Sequence, residues 1–154
     1  MGWATDEANR IAERQRSVQD ARRWELHVAE IIKRDAKPFF ERTCEQIEQD
    51  VSEFNQAHGK IDPIYYERFD CDHIAVSRRD LYPRALVELG LDPFAWQVKL
   101  RECHQSNPLG QRQESKTLLN FSVDQKSNIS LDSTDIDGIS KQVLTPILDA
   151  YREL

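Results

Sequence analysis

Between Asp6 and Ala57 the chain has no glycine and a single proline, Pro38. This stretch is rich in Glu, Gln, Arg and Ala, residues that cost a helix little. After Pro38 the apolar positions are Phe40, Cys44, Ile47, Val51 and Phe54, spaced 4, 3, 4 and 3 apart. That spacing places them on one stripe of a helix. Val18, Ala21, Trp24 or Glu25, Val28 and Ile31-Ile32 keep a similar rhythm before it. Gly59 is placed to end the helix. Pro38 removes one backbone hydrogen bond and crowds the preceding turn. It predicts either a kink or a break between two helices. Residues 1–10 carry little apolar content beyond Trp3 and are expected to be mobile.

The middle of the chain reads as strands. Ile61 to Phe69 holds Ile64, Tyr65, Tyr66 and Phe69, which suit a pleated surface. His73 to Arg78 follows. Ala95 to Cys103 alternates, with Trp96, Val98 and Leu100 on one face and Gln97, Lys99 and Arg101 on the other. Leu81 to Leu91 fits a helix capped by Asp80 and ended by Gly90. It also fits a strand, since Ala85, Val87 and Leu89 alternate with Leu86 and Glu88. The strand is preferred, as a hairpin with Ala95–Cys103 around Asp92-Pro93-Phe94.

Residues 104–116 hold Pro108, Gly110 and many polar groups, and are expected to be a flexible loop. Thr117–Val123 and Asn128–Leu131 predict another hairpin. Ser140 to Leu154 predicts a closing helix that restarts at Pro146, with Thr145 as its cap. The expected fold is therefore one α+β domain over residues 1–154. A long N-terminal helical region, kinked or broken at Pro38, packs on an antiparallel sheet of five to six strands, and a C-terminal helix closes it.

The 154 residues are enough for a real core, since a domain of this size buries roughly 70% of its unfolded surface. The formal net charge is -6, and no third of the chain is basic. A phosphate-tracking surface draws its affinity from clustered cations, so nucleic acid is not an expected partner. No run approaches the ~20 apolar residues of a membrane helix, so no membrane partner is expected. No secretory leader is visible, and the myristoylation pattern fails at Asp6. A cytoplasmic location follows as an expectation. Cys44, Cys71 and Cys103 are odd in number and widely spaced, which argues against a disulfide framework.

None of the five glycines is arranged to cradle a phosphate, so no nucleotide cofactor is expected, and no cofactor of another kind is implied. Nor is there a nucleophile elbow, a zinc-protease helix or a C-x-x-C pair. Asp70-Cys71-Asp72-His73 is the sharpest cluster. On a strand, Cys71 and His73 would share a face and offer two metal ligands. Cys103-His104 would bring a second pair, but adjacent strand residues face opposite sides. The preferred reading is instead a small buried cysteine beside a surface histidine. Ser133–Gly138 resembles the front of a calcium loop but fails at its first and twelfth positions, Ser133 and Leu144. Its aspartates are better placed to cap the last helix. His27 and His58 are expected to face solvent, as are Glu41, Glu45 and Glu48.

Three function classes remain, one of them a purely structural or accessory subunit of a larger assembly. The first is a non-enzymatic cytoplasmic protein–protein interaction module of adaptor or chaperone type. It would pair with a protein partner or with itself as a homodimer, through Trp24, Val28, Ile31 and Ile32. The second is a small-molecule- or metal-binding domain, enzymatic or not, whose site lies on the sheet face. Tyr65, Tyr66, Arg78 and Trp96 would converge there near Cys71 and His73.

Overall fold

A computed structural model describes residues 2–153. Helix α1 runs without interruption from Trp3 to His58. Its 56 residues extend about 84 Å at 1.5 Å per residue. Residues 3–10, expected to be mobile, are the first turns of this helix. Pro38 neither breaks nor ends it. The proline ring is exposed, while Ala36, Phe39 and Phe40 on either side are buried in the core. An interior proline costs about 3 kcal/mol. Burying two Phe side chains contributes about 1.5–3 kcal/mol each, enough to carry the helix through.

Six strands follow as an antiparallel meander in the order β1 to β6. They are β1 (Tyr65–Asp70), β2 (His73–Arg78), β3 (Arg84–Asp92), β4 (Gln97–Gln105), β5 (Gln113–Val123) and β6 (Ile129–Leu131). Helix α2 (Ile136–Arg152) closes the chain. Leu81–Leu91 is thus mainly strand, and β3 pairs with β4 from Arg84↔Gln105 to Asp92↔Gln97. The connecting turn is tied by the Asp92 carboxylate, which accepts from the backbone N–H groups of Phe94 and Ala95 at 2.9 and 3.1 Å.

The expected loop at 104–116 is shorter than the sequence implied. Strand β4 continues to Gln105 and β5 begins at Gln113, because His104 pairs with Gln113 and Cys103 with Glu114. The first expected strand is shortened instead. Residues 59–64 bend, with Asp62 at φ 61°. The Asn55 side chain holds this bend by bonding both the N–H and the C=O of Ile64 at 2.8 Å.

Helix α2 begins at Ile136, earlier than Ser140. The Asp135 carboxylate caps it by accepting from Gly138 N–H at 2.8 Å. A Cβ on Gly138 would sit 2.5 Å from Thr134 Cγ2, so this turn needs glycine for close approach. The helix does not restart at Pro146. Thr145 is an interior residue whose hydroxyl donates to Lys141 O at 2.6 Å.

Both helices lie on one face of the sheet. Phe40, Cys44, Ile47 and Val51 of α1, and Ile139, Val143 and Ile147 of α2, meet the alternate residues Ile74, Val76, Val87, Leu89, Val98 and Leu100. The other face is uncovered. Its exposed charges cross-link neighbouring strands through Arg101 to Glu88 at 3.2 Å, Arg101 to Glu114 at 2.5 Å and Arg79 to Glu67 at 2.5 Å. Strand β6 covers only the last three residues of β5. The uncovered edge before it begins with polar and charged residues, Gln113 to Lys116, which discourage edge-to-edge pairing, and continues through the exposed Leu118.

Candidate interaction surfaces

The N-terminal part of α1 leaves the body. From Trp3 to Leu26 every residue is exposed except the half-buried Ala12. Among the described residues, the first side-chain hydrogen bond from the helix to the body is His27 Nε2 to Ser127 Oγ, at 3.0 Å. The free arm is therefore 24 residues, about 36 Å long. Trp3, Ile11, Val18 and Leu26 are 82%, 46%, 50% and 67% exposed. The one ion pair within the arm joins Arg10 to Glu7, at 3.6 Å.

The four residues expected to meet a partner are divided. Ile31 is buried in its own chain. Ile32 is half-buried and packs on the core, and Val28 is half-buried. Only Trp24 is largely exposed, with its ring 5.6 Å from that of His27. The stripe beyond Pro38 belongs to the intramolecular core.

The sheet-face cluster does not form. Strand alternation sends Arg78 to the same side as Ile74 and Val76, beneath α2, where it is fully buried. There its guanidinium donates to Asp62 Oδ2 at 2.8 and 3.0 Å and to Pro83 O at 2.6 Å. It also lies 4.6 Å from the centre of the Tyr151 ring. The Tyr151 hydroxyl donates to Asp62 O at 2.7 Å. Burial, helped by the Asp62 charge, pushes that phenol up to about 12. Tyr65 pairs with Ser77 and Tyr66 with Val76, so the two rings face opposite sides. Trp96 sits in the β3–β4 turn at φ 50°.

Cys71 and His73 are also separated from their expected arrangement. Cys71 is exposed rather than buried, because it lies in the tight turn between β1 and β2, where strand alternation does not apply. His73 opens β2, with its ring 5.0 Å from Phe69 and its Nε2 3.8 Å from Glu88. Cys103 and His104 take opposite faces, as alternation requires. Cys103 lies on the open face, and His104 approaches Glu153, the C-cap of α2, at 3.2 Å. Among the described residues, no group of three or more His, Cys, Asp or Glu side chains comes together as a metal site. Cys44 is buried, and burial pushes its thiol up to about 12.

The segment at 133–138 caps α2 through Asp135, as its aspartates were expected to do. His27 and His58 are exposed, as expected, although His58 stacks on Phe54 at 5.0 Å. Glu41 forms a bidentate pair with Arg68, which holds its carboxyl below the usual range.

The open sheet face carries one feature that alternation alone did not reveal. Ala75 and Cys103 are only 6% and 5% exposed on it. They lie in a depression of about 360 Å³, shared with Leu86 and Ser77 and approached by Arg84 and Arg112. No described helix is long and apolar enough to cross a membrane. Compared with known proteins, the chain matches no family model, no curated protein and no solved structure.

Proposed function

We propose that the chain is a non-enzymatic cytoplasmic interaction module of adaptor or chaperone type, engaging a protein partner through the free arm of α1. The observation that carries this reading is the lack of any packing for residues 3–26 within the chain. Helices in water draw most of their stability from burying an amphipathic face. A helix without such burial needs many side-chain pairs along its surface. Among the described residues, this arm has one ion pair and five exposed large apolar side chains, Trp24 among them. A partner would supply the missing packing.

Native mass spectrometry of the untagged chain tests the reading, together with Ile11→Asp/Val18→Asp. The wild type should occur in a defined complex, and the double variant should lose it while keeping its circular dichroism. A wild-type chain found without any protein partner, itself included, both purified and in native spectra of cell extract, would sink the reading.

A second reading places a small ligand in the depression over Ala75 and Cys103. Its volume falls in the range of small-molecule sites, and Arg84 and Arg112 would favour an anion. A monomer carrying an extra small mass in the same spectra would favour this reading over the first.

A further inference from the structure

We infer that the partner of the arm is the arm of a second copy, running antiparallel, with residues i and j opposed where i and j sum to 29. This rests on the reading of the arm as an interaction element. The body begins at His27, which the β5–β6 hairpin contacts. A second helix can therefore lie along the free arm only between Trp3 and Leu26. Full overlap of two such arms, in opposite directions, opposes residue 3 to residue 26. That fixes the register and keeps the two bodies at opposite ends.

The same register makes the contact self-complementary. At 100° per residue, Glu7, Ile11, Val18 and Arg22 lie within about 60° of arc. This face is the outward continuation of the side that packs on the core through Phe40, Ile47 and Phe54. The register opposes Ile11 to Val18 and Glu7 to Arg22, each twice by symmetry. It also sets Glu25 beside Ala4, in the first turn of the other helix, where the dipole favours a carboxylate. The unfavourable approaches are Arg14, which meets its own copy near the dyad, and Glu25, which lies one turn from Glu7 of the other helix.

Sedimentation equilibrium and cysteine cross-linking test this register. The wild type should be a dimer. Glu7→Arg and Arg22→Glu should each weaken it about tenfold, because a favourable pair becomes a like-charge pair at two symmetric places. Combining them should restore the affinity to within about threefold of the wild type, and Arg14→Gln should tighten it about threefold. In a Cys71→Ser background, Ile11→Cys mixed with Val18→Cys should cross-link, and neither should do so alone. Identical positions seven residues apart along the pair are separated by about 10 Å, beyond disulfide reach.

Cross-linking of each cysteine variant with itself would mean a parallel pair and overturn the proposal. So would a double charge variant as weak as the single ones. A monomer with an intact helix would overturn self-pairing as well. In that case an arm-dependent complex with another protein would leave the interaction reading standing, and the absence of any arm-dependent complex would remove both.

Discussion

His27 and Ser127, a hundred positions apart in the chain, meet at 3.0 Å and mark the point where α1 leaves the body. On the C-terminal side of that contact, Ile31 and Ala36 are buried. On the other side no described side chain is. Local opening should follow the same boundary. Hydrogen exchange on dilute protein should be fast for residues 3–26 and slow for residues 36–54. His27→Ala should move the boundary toward Ile31. Equal protection along the whole helix at high dilution would contradict this.

Among the described residues, Arg78 and Asp62 form the one ion pair enclosed by the fold, with side chains 0% and 7% exposed. Removing one partner of such a pair strands the other charge, at a cost of about 3–5 kcal/mol. Arg78→Ala should lower unfolding free energy by that amount in a urea titration. Tyr151→Phe removes only the hydrogen bond to Asp62 O, and should cost about 1 kcal/mol.

Gly138→Ala should destabilise the chain by about 1–3 kcal/mol, because the new methyl group meets Thr134 Cγ2. Thr134→Ala in the same chain should recover part of the loss. Thermal melts of the two single variants and the double variant would give the coupling directly.

The Glu41 carboxyl is held low by the Arg68 guanidinium beside it. A carboxyl that is more acidic in the folded chain than in the unfolded chain stabilises the fold above its unfolded value, near 4.3. That contribution is lost as pH falls through the lower folded value. The pair is partly exposed, so the effect is less than about 1 kcal/mol. Urea titrations from pH 7 to pH 3 should show a steeper decline for the wild type than for Glu41→Gln.

Thiol chemistry should separate the three cysteines. Cys71 is exposed in a turn, while Cys44 and Cys103 are buried. A thiolate-directed reagent should modify one site rapidly in the folded protein, and Cys71→Ser should abolish that phase. Cys44 should react only on unfolding, since its thiol is pushed up to about 12.

The helix stripe from Phe40 to Phe54 and the alternation of Ala85, Val87 and Leu89 were legible because each repeats a period set by its own backbone. Continuity through Pro38 was not, since it depends on what Phe39 and Phe40 bury against. Arg78 was expected to join a ligand site on the sheet face, and its burial was not legible. Its carboxylate partner lies sixteen residues upstream, on a bend whose placement needs Asn55. Cys71 and His73 were misread because a tight turn stands where an extra strand residue was assumed. The candidate surface was half legible. The apolar rhythm ran unbroken from Val18 to Ile32, and only the position of the β5–β6 hairpin divides it into a packed part and a free one.

The meander also sets an order of events during synthesis. Each strand can pair with the one before it as soon as it emerges, which keeps contacts local and sheet assembly quick. Helix α1, by contrast, emerges first, and the face that carries Phe40 and Ile47 has nothing to cover it until the later strands arrive. At roughly 5–20 residues per second that wait lasts several seconds. The nascent chain thus passes through a stage in which its most apolar surface is already shaped but still exposed, and a ribosome-associated holdase would find it there.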